Sequence, residues 1–337
     1  GGPPLNGPPQ PSVLTGMSDM RLGDLTFLDL YLHPKVALLK NLGGSARGVD
    51  VAPAGIKDQL DGMLARCRTA YGESRIPEFS LVEDNRLYRV TAQEDHSGDV
   101  LFVLRQFERT LKPFRELGLP RHAAVSLLSD KLKGLVLFAG EPGVGKSTSM
   151  FSTVVQRLHR SGGVAVTVED PIEQQLAGSH GDGYMFQFPA SRLTGGYREP
   201  LLRALRMQAD MVVVGEIRDG AAAAEVVRAS ASGQLTFGTI HAGSAPQAIE
   251  KLAILAGSGD STSNSEGMRY MLAMGVAMVI WQNMVLLPDG GRQLSVRALS
   301  CIGEDGLAIR SKIRENKLQT LDNEIDHQAR RGGAHQA

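Results

Sequence analysis

Residues Gly140 to Ser147 read G-E-P-G-V-G-K-S. Glycines, a lysine and a hydroxyl at this spacing are suited to cradling phosphate. Glycine lets backbone N–H groups turn inward and approach phosphate oxygens closely. The apolar run "GLVLFA" precedes the stretch, and "SMFSTVVQRLHR", which reads as helix, follows it. The helix start would aim its orphan N–H groups and positive dipole end at the same phosphates. Lys146 would then reach the β- and γ-phosphates of a nucleotide, and Ser147 would hold Mg²⁺. The expected nucleotide contacts are Gly140, Glu141, Pro142, Gly143, Val144, Gly145, Lys146, Ser147 and Thr148.

Such a loop needs an acid at the end of a second apolar strand. "MVVVGEIRD" (211–219) supplies Glu216, placed to orient the metal or its water shell. "TVEDPIE" (167–173) crowds Glu169, Asp170 and Glu173 together. A carboxylate near a γ-phosphate can polarise an attacking water. The same residues also suit a helix N-terminus, with Asp170 as cap, Pro171 at the first position and Glu173 as the acid of the first turn. Locally these two readings compete evenly. His241 closes the apolar run in "GQLTFGTIHA" (233–242). A lone histidine at a strand end is more often packed or surface than working.

The elements that must position these groups show in the hydrophobic pattern. Short apolar runs, "GLVLFA", "GVAVTVED", "DMVVVGEI" and "LTFGTIHA", alternate with helical stretches from about residue 121. Runs of this kind are strands of a sheet covered on both faces, with ligands at their carboxyl ends. The fold class is therefore α/β, preceded by a smaller α+β domain. In that domain "LTFLDLYLH" (25–33), "FSLVED", "RLYRVTAQE" and "DVLFVLRQF" read as strands, and residues 54–72 as a helix. The expected organisation is a flexible tail over 1–18, the α+β domain over 19–108, a linker over 109–120, the α/β domain over 121–328 and a second tail over 329–337. The first 16 residues carry five prolines and four glycines and cannot build a core.

Charge is balanced, with 36 basic and 36 acidic residues, so no global field favours nucleic acid or a membrane surface. Cys67 and Cys301, the two cysteines, form no disulfide framework and fit a reducing compartment. No signal-peptide pattern opens the sequence. The longest apolar stretch, "YMLAMGVAMVIW" (270–281), has 12 residues, too few for a membrane span, and reads as a buried helix.

Together the four boxes resemble the secretion ATPase superfamily of type II secretion, type IV pili and type IV secretion. "GEPGVGKST" is similar to its Walker A, "TVEDPIE" to its aspartate box, "LRMQADMVVVGEIRD" to its Walker B and "GQLTFGTIHAGSAPQAIEKL" to its histidine box. Order and spacing also match, over roughly residues 80–325. The resemblance implies a RecA-like P-loop ATPase domain behind a PAS-like α+β domain. It implies ATP and Mg²⁺ as ligands, Glu173 as general base, Glu216 as Walker B acid and metal-site residue, and His241 near the γ-phosphate. The second histidine of the histidine box is Gln234 here, which hydrogen-bonds but does not titrate near neutrality. "FLDLYLHP" resembles a front-domain segment of the family and keeps its aspartate, Asp29. Arg89 and Arg105 align with arginines that reach a nucleotide across a subunit boundary, with Arg86 and Arg109 as substitutes. "IRENKLQTLDNEI" (313–325) resembles a segment of pilus retraction motors.

The implied protein is a hexameric motor on the cytoplasmic face of a bacterial inner membrane. It would be peripheral there, pressing on a platform protein of a pilus, conjugation or type IV secretion machine. No sequence-specific nucleic-acid binding is expected. The alternatives are a nucleic-acid translocase, opposed by the zero net charge and the lack of a basic stretch interleaved with aromatics, and a nucleotide-binding scaffold that does not turn over, suggested by Gln234.

Overall fold

The computed structural model describes residues 20–333, except 45–47, 85, 107–110, 191–195, 260–263, 287–291 and 304. The expected N-terminal tail, Arg109 and the last four residues lie outside the described residues. The chain divides into two units between residues 109 and 110, and the short segment Pro171–Gln175 goes with the front unit.

The front unit holds β1 (Asp29–His33), β2 (Val36–Lys40), β3 (Val49–Val51), α1 (Lys57–Ser74), β4 (Glu78–Glu83), β5 (Arg86–Glu94) and β6 (Val100–Gln106). Its sheet runs β3-β2-β1-β6-β5-β4, with every pairing antiparallel. Side chains alternate across a strand. In β5 this buries Tyr88, Val90 and Ala92, and in β6 Phe102 and Leu104, against α1 residues Leu60, Met63 and Cys67. The same alternation turns Arg89 and Arg105 to the opposite face. The strands β2 and β3 were not foreseen from the sequence; each is short and only partly buried.

The second unit holds α2 (Arg121–Leu127), β7 (Leu135–Gly140), α3 (Lys146–Ser161), β8 (Gly163–Glu169), β9 (Gly178–His180), β10 (Gly183–Pro189), α4 (Arg198–Arg206) and β11 (Met211–Val214). It continues with α5 (Gly220–Ala231), β12 (Thr236–His241), α6 (Ala245–Gly257), α7 (Ser265–Gly275), β13 (Val276–Leu286), β14 (Arg292–Ser300), α8 (Gly306–Arg314) and α9 (Leu321–Gly333). The sheet order is β14-β13-β7-β12-β11-β8-β10-β9. From β13 to β10 all neighbours are parallel, and β14 and β9 add antiparallel edges. The strand that carries the glycine loop, β7, thus lies between β12 and β13, the RecA-like order. Every residue of β7 is buried, as a central strand covered on both faces requires.

Local structure adds to the sequence reading in some places and changes it in others. The stretch 270–281 is not one buried helix: α7 ends at Gly275 and β13 begins at Val276. A side chain at Gly275 would press on the backbone of Ser230 and Ala231, so the chain passes close to α5 there before entering the sheet beside β7. No helix follows Asp170: β8 ends at Glu169 and the chain bends without forming a turn of helix, so the capping reading of "TVEDPIE" fails. The stretch 178–189 forms the β9–β10 hairpin, with β10 parallel to β8. The terminal helix α9 runs past residue 328 to Gly333. Among the described residues no helix is long and apolar enough to cross a membrane.

Candidate functional site

The glycine loop leaves the carboxyl end of β7. Gly140 has φ +150°, and a Cβ there would lie 2.2 Å from the carbonyl oxygen of Gln282 on β13. Only glycine fits between these strands. Gly143 (φ +77°) and Gly145 (φ +91°) take left-handed conformations with open space where a side chain would stand. Gly145 is also the N-cap of α3 and offers no side chain to its first turn. The leading N–H groups of α3 are therefore left for another acceptor, the arrangement that suits phosphate. Val144 is buried and pins the loop, while Glu141 and Pro142 are exposed.

Behind the loop a lysine, a histidine and a glutamate meet. Lys146 is 6% exposed. Its Nζ donates to the Glu141 carbonyl at 2.8 Å and lies 3.0 Å from Nδ1 of His241. With Lys146 charged, Nδ1 is the acceptor, so the ring proton sits on Nε2. Nε2 lies 2.9 Å from Oε1 of Glu216, and Oε2 of Glu216 accepts from Arg218 Nη2 at 2.5 Å. Burial pushes the Lys146 pKa down, opposed in part by the negative charge of Glu216. The hydrogen bond from Arg218 to Glu216 holds that guanidinium above its ordinary range.

The sheet order brings these residues together. Lys146 follows β7, His241 ends β12, and Glu216 follows β11, on three consecutive strands. Backbone bonds fix Glu216 from both sides: Gly215 N–H donates to Val168 at 2.9 Å and Ile217 N–H to Thr239 at 2.9 Å. His241 is held by Lys251, whose Nζ donates to its carbonyl at 2.9 Å, and by Trp281, whose Nε1 donates to the Ala242 carbonyl at 3.2 Å. Gln282, fully buried, donates to Ser149 on α3 at 2.8 Å. Lys251, Trp281 and Gln282 were not foreseen. Each contacts the site through tertiary pairing, and only Lys251 lies within one of the motifs, at the end of the histidine box.

The remaining expected residues fall elsewhere. Glu169 is buried, accepts from Thr167 Oγ1 at 2.6 Å and from Gln187 Nε2 at 2.9 Å, and so is committed to holding the β8–β10 edge. Glu173 lies in the segment that goes with the front unit. Gln234 precedes β12 and donates to the Ala209 carbonyl at 3.0 Å, at the opposite end of the strand from His241. In the front unit Arg89 and Arg105 are direct cross-strand partners, and Arg105 in turn faces Asp29. Asp29 takes both Arg105 donors, while Arg89 pairs with Glu78 at 3.1 Å. Arg86 donates to the Leu25 carbonyl at 3.2 Å.

A phosphate-type loop on a sheet of RecA-like order, backed by a lysine, a histidine and a glutamate, defines a P-loop protein of the ATPase class. The chain belongs to the type II/IV secretion system protein family, whose model matches residues 91–327. It is similar to the type IV pilus retraction ATPase PilT of Pseudomonas aeruginosa, 28% identical over 298 residues, covering 87% of this chain and 83% of PilT. It is also similar to the type IV pilus ATPase PilU of that organism, 30% identical over 199 residues, covering 58% of this chain. The match spans only 50% of PilU's length. A crystal structure of the pilus retraction motor PilT with bound ADP superimposes with a TM-score of 0.68 at 25% identity, covering 90% of this chain and 87% of that one.

Proposed function

We propose that this chain hydrolyses ATP as a subunit of a hexameric motor at the cytoplasmic face of a bacterial inner membrane. The machine it drives is a type IV pilus, conjugation or type IV secretion system, through a membrane platform protein. The observation that carries this reading is the convergence of Lys146, His241 and Glu216 behind a glycine loop with uncapped N–H groups. Membership of an ATPase-containing family and the likeness to an ADP-bound retraction motor support it.

The loop N–H groups from Gly143 to Thr148 would take the β- and γ-phosphate oxygens. Lys146 would exchange its carbonyl and imidazole partners for phosphate. The hydroxyl of Ser147 and, partly through water, the carboxylate of Glu216 would hold Mg²⁺, a donor set of hard oxygens that suits that ion. Bound there, the ion neutralises charge on the phosphates. Glu173 would take the proton of the attacking water. Arg89 and Arg105 would supply positive charge to a nucleotide bound by the neighbouring subunit.

Phosphate release from ATP and Mg²⁺ tests the reading. Wild-type protein should turn over, and Lys146→Ala should not. Glu173→Gln should still bind ATP but lose about 10²-fold or more in kcat. Undiminished turnover in Lys146→Ala would remove the proposed site, and undiminished turnover in Glu173→Gln would move the base to another group.

A further inference from the structure

A cavity of about 560 Å³ opens at the other end of the same sheet. It is lined where the chain enters β7, β8, β11 and β12, and by the last turns of α3. The phosphate loop sits at the carboxyl ends of those strands. β12 alone, with six residues, separates the two ends by roughly 17 Å. A nucleotide held by Lys146 therefore does not fill this space.

Three cations line it: Lys133, Arg157 and Arg160. Arg157 is 7% exposed. Its Nη1 donates to the carbonyl of Ser129 at 3.0 Å and to that of Leu127. These neutral acceptors fix the guanidinium plane without balancing its charge. Its Nε finds no acceptor among the described residues. Two acids also line it: Asp130 accepts from the Ser161 hydroxyl at 2.6 Å and Asp210 from the Val164 N–H at 2.7 Å, and neither is hydrogen-bonded to Arg157. Burial pushes the Arg157 pKa down and Asp130 offsets this only in part. A buried charge is normally paired, because desolvation penalises it when it is not. Here the missing partner is an anion.

The rest of the cavity bounds what that anion carries. Leu132, Met211 and Leu235 form a buried apolar floor. The volume lies in the range of small-molecule sites, about 300–1,000 Å³, and an inorganic ion would leave most of it open. Arginine forks match phosphoryl oxygens in a bidentate way, and three cations against two acids leave a net positive charge in the lining for an anion to balance.

We propose that this cavity binds a small soluble organic phosphate, with its phosphoryl group on Arg157, Arg160 and Lys133 and its apolar body on Leu132, Met211 and Leu235. Gln234 lines the same cavity, so the residue that replaces the family histidine belongs to this site rather than to the phosphate loop. The proposal does not depend on ATP hydrolysis.

Calorimetric titration of phenyl phosphate into the full chain, preloaded with ADP and Mg²⁺, tests it. One site per chain is expected, weakened by salt, and retained in Lys146→Ala without added nucleotide. Removal of two charged donors in Lys133→Ala/Arg160→Ala should weaken binding about tenfold or more. Both residues are exposed, so this variant keeps its fold, which its thermal midpoint checks. Arg157→Gln should abolish binding. Inorganic phosphate should bind at least about tenfold more weakly than phenyl phosphate, because it forgoes the apolar floor. Absence of binding at millimolar concentration, equal affinity in the double variant, equal affinity for inorganic phosphate, or loss of the site when ADP is present would each overturn the proposal.

Discussion

Arg105 donates twice to the buried carboxylate of Asp29, from Nε to Oδ1 at 2.7 Å and from Nη2 to Oδ2 at 3.2 Å. The pair lies across β6 and β1 in register, with Lys40 of β2 4.0 Å from the same carboxylate. Asp29 has 1% of its surface exposed, whereas the Arg105 side chain keeps 55%. The acid is the fixed partner, and it aims a guanidinium that still reaches solvent.

That asymmetry separates two effects of substitution. Arg105→Ala strands a buried acceptor and should cost on the order of 1–3 kcal/mol of stability, besides removing the cation proposed to serve a neighbour's nucleotide. Asp29→Asn keeps the cation but loosens its aim, so kcat should fall while KM for ATP changes little. Mixtures of Arg105→Ala with Lys146→Ala should regain some turnover, since one interface then pairs an intact arginine with an intact loop. Wild-type kcat in Asp29→Asn, measured with its thermal midpoint, would dismiss the positioning role, and no rescue in mixtures shown to co-assemble would dismiss the shared site.

His241 and Gln234 stand at opposite ends of β12. Restoring the family residue by Gln234→His should therefore leave ADP affinity and turnover within about twofold of wild type. His241→Ala breaks the link between Lys146 and Glu216 and should lower turnover roughly tenfold or more, the effect of losing one charge-assisted bond. Steady-state kinetics on both variants checks this, and a large effect of Gln234→His would contradict the separation.

Burial lowers the pKa of Lys146, and the charge of Glu216 limits the fall. The ammonium therefore loses its proton at lower pH than an ordinary lysine near about 10.4. Affinity for ADP should be full at neutral pH and decline as pH rises, starting below the ordinary lysine range. Lys146→Arg, which stays charged, should bind more weakly at neutral pH but lack that alkaline decline. Fluorescent-nucleotide titrations from neutral to alkaline pH provide the comparison, and parallel pH profiles would discard the assignment.

Both cysteines are buried, Cys67 on the inner face of α1 and Cys301 after β14, and burial pushes each thiol up to about 12. Thiolate is the reactive form, so neither should react at neutral pH in the folded protein. A thiol reagent should leave ATPase activity unchanged and modify two sulfurs only after denaturation. Rapid inactivation of the native protein would show that one cysteine is reached through an opening of the fold.

Local chemistry was enough to read the glycine loop, because strand, glycines, lysine and helix are contiguous and each residue type has a conformational reason to be there. It was enough for β5 and β6 as well, where strict alternation sends Tyr88 and Phe102 inward and Arg89 and Arg105 outward. It failed over 270–281, because a buried helix and a buried strand are equally apolar, and only pairing with β7 decides between them. The meeting of Lys146, His241 and Glu216 depends on the order β7-β12-β11, which no short stretch encodes. That order also set Gln234 apart from the site its motif suggested and placed Arg157, an unremarkable helix residue in sequence, at the wall of a cavity. Side-chain type is a property of one position. Burial, partner and distance arise only when strands far apart in the chain share hydrogen bonds, so they belong to the tertiary structure alone.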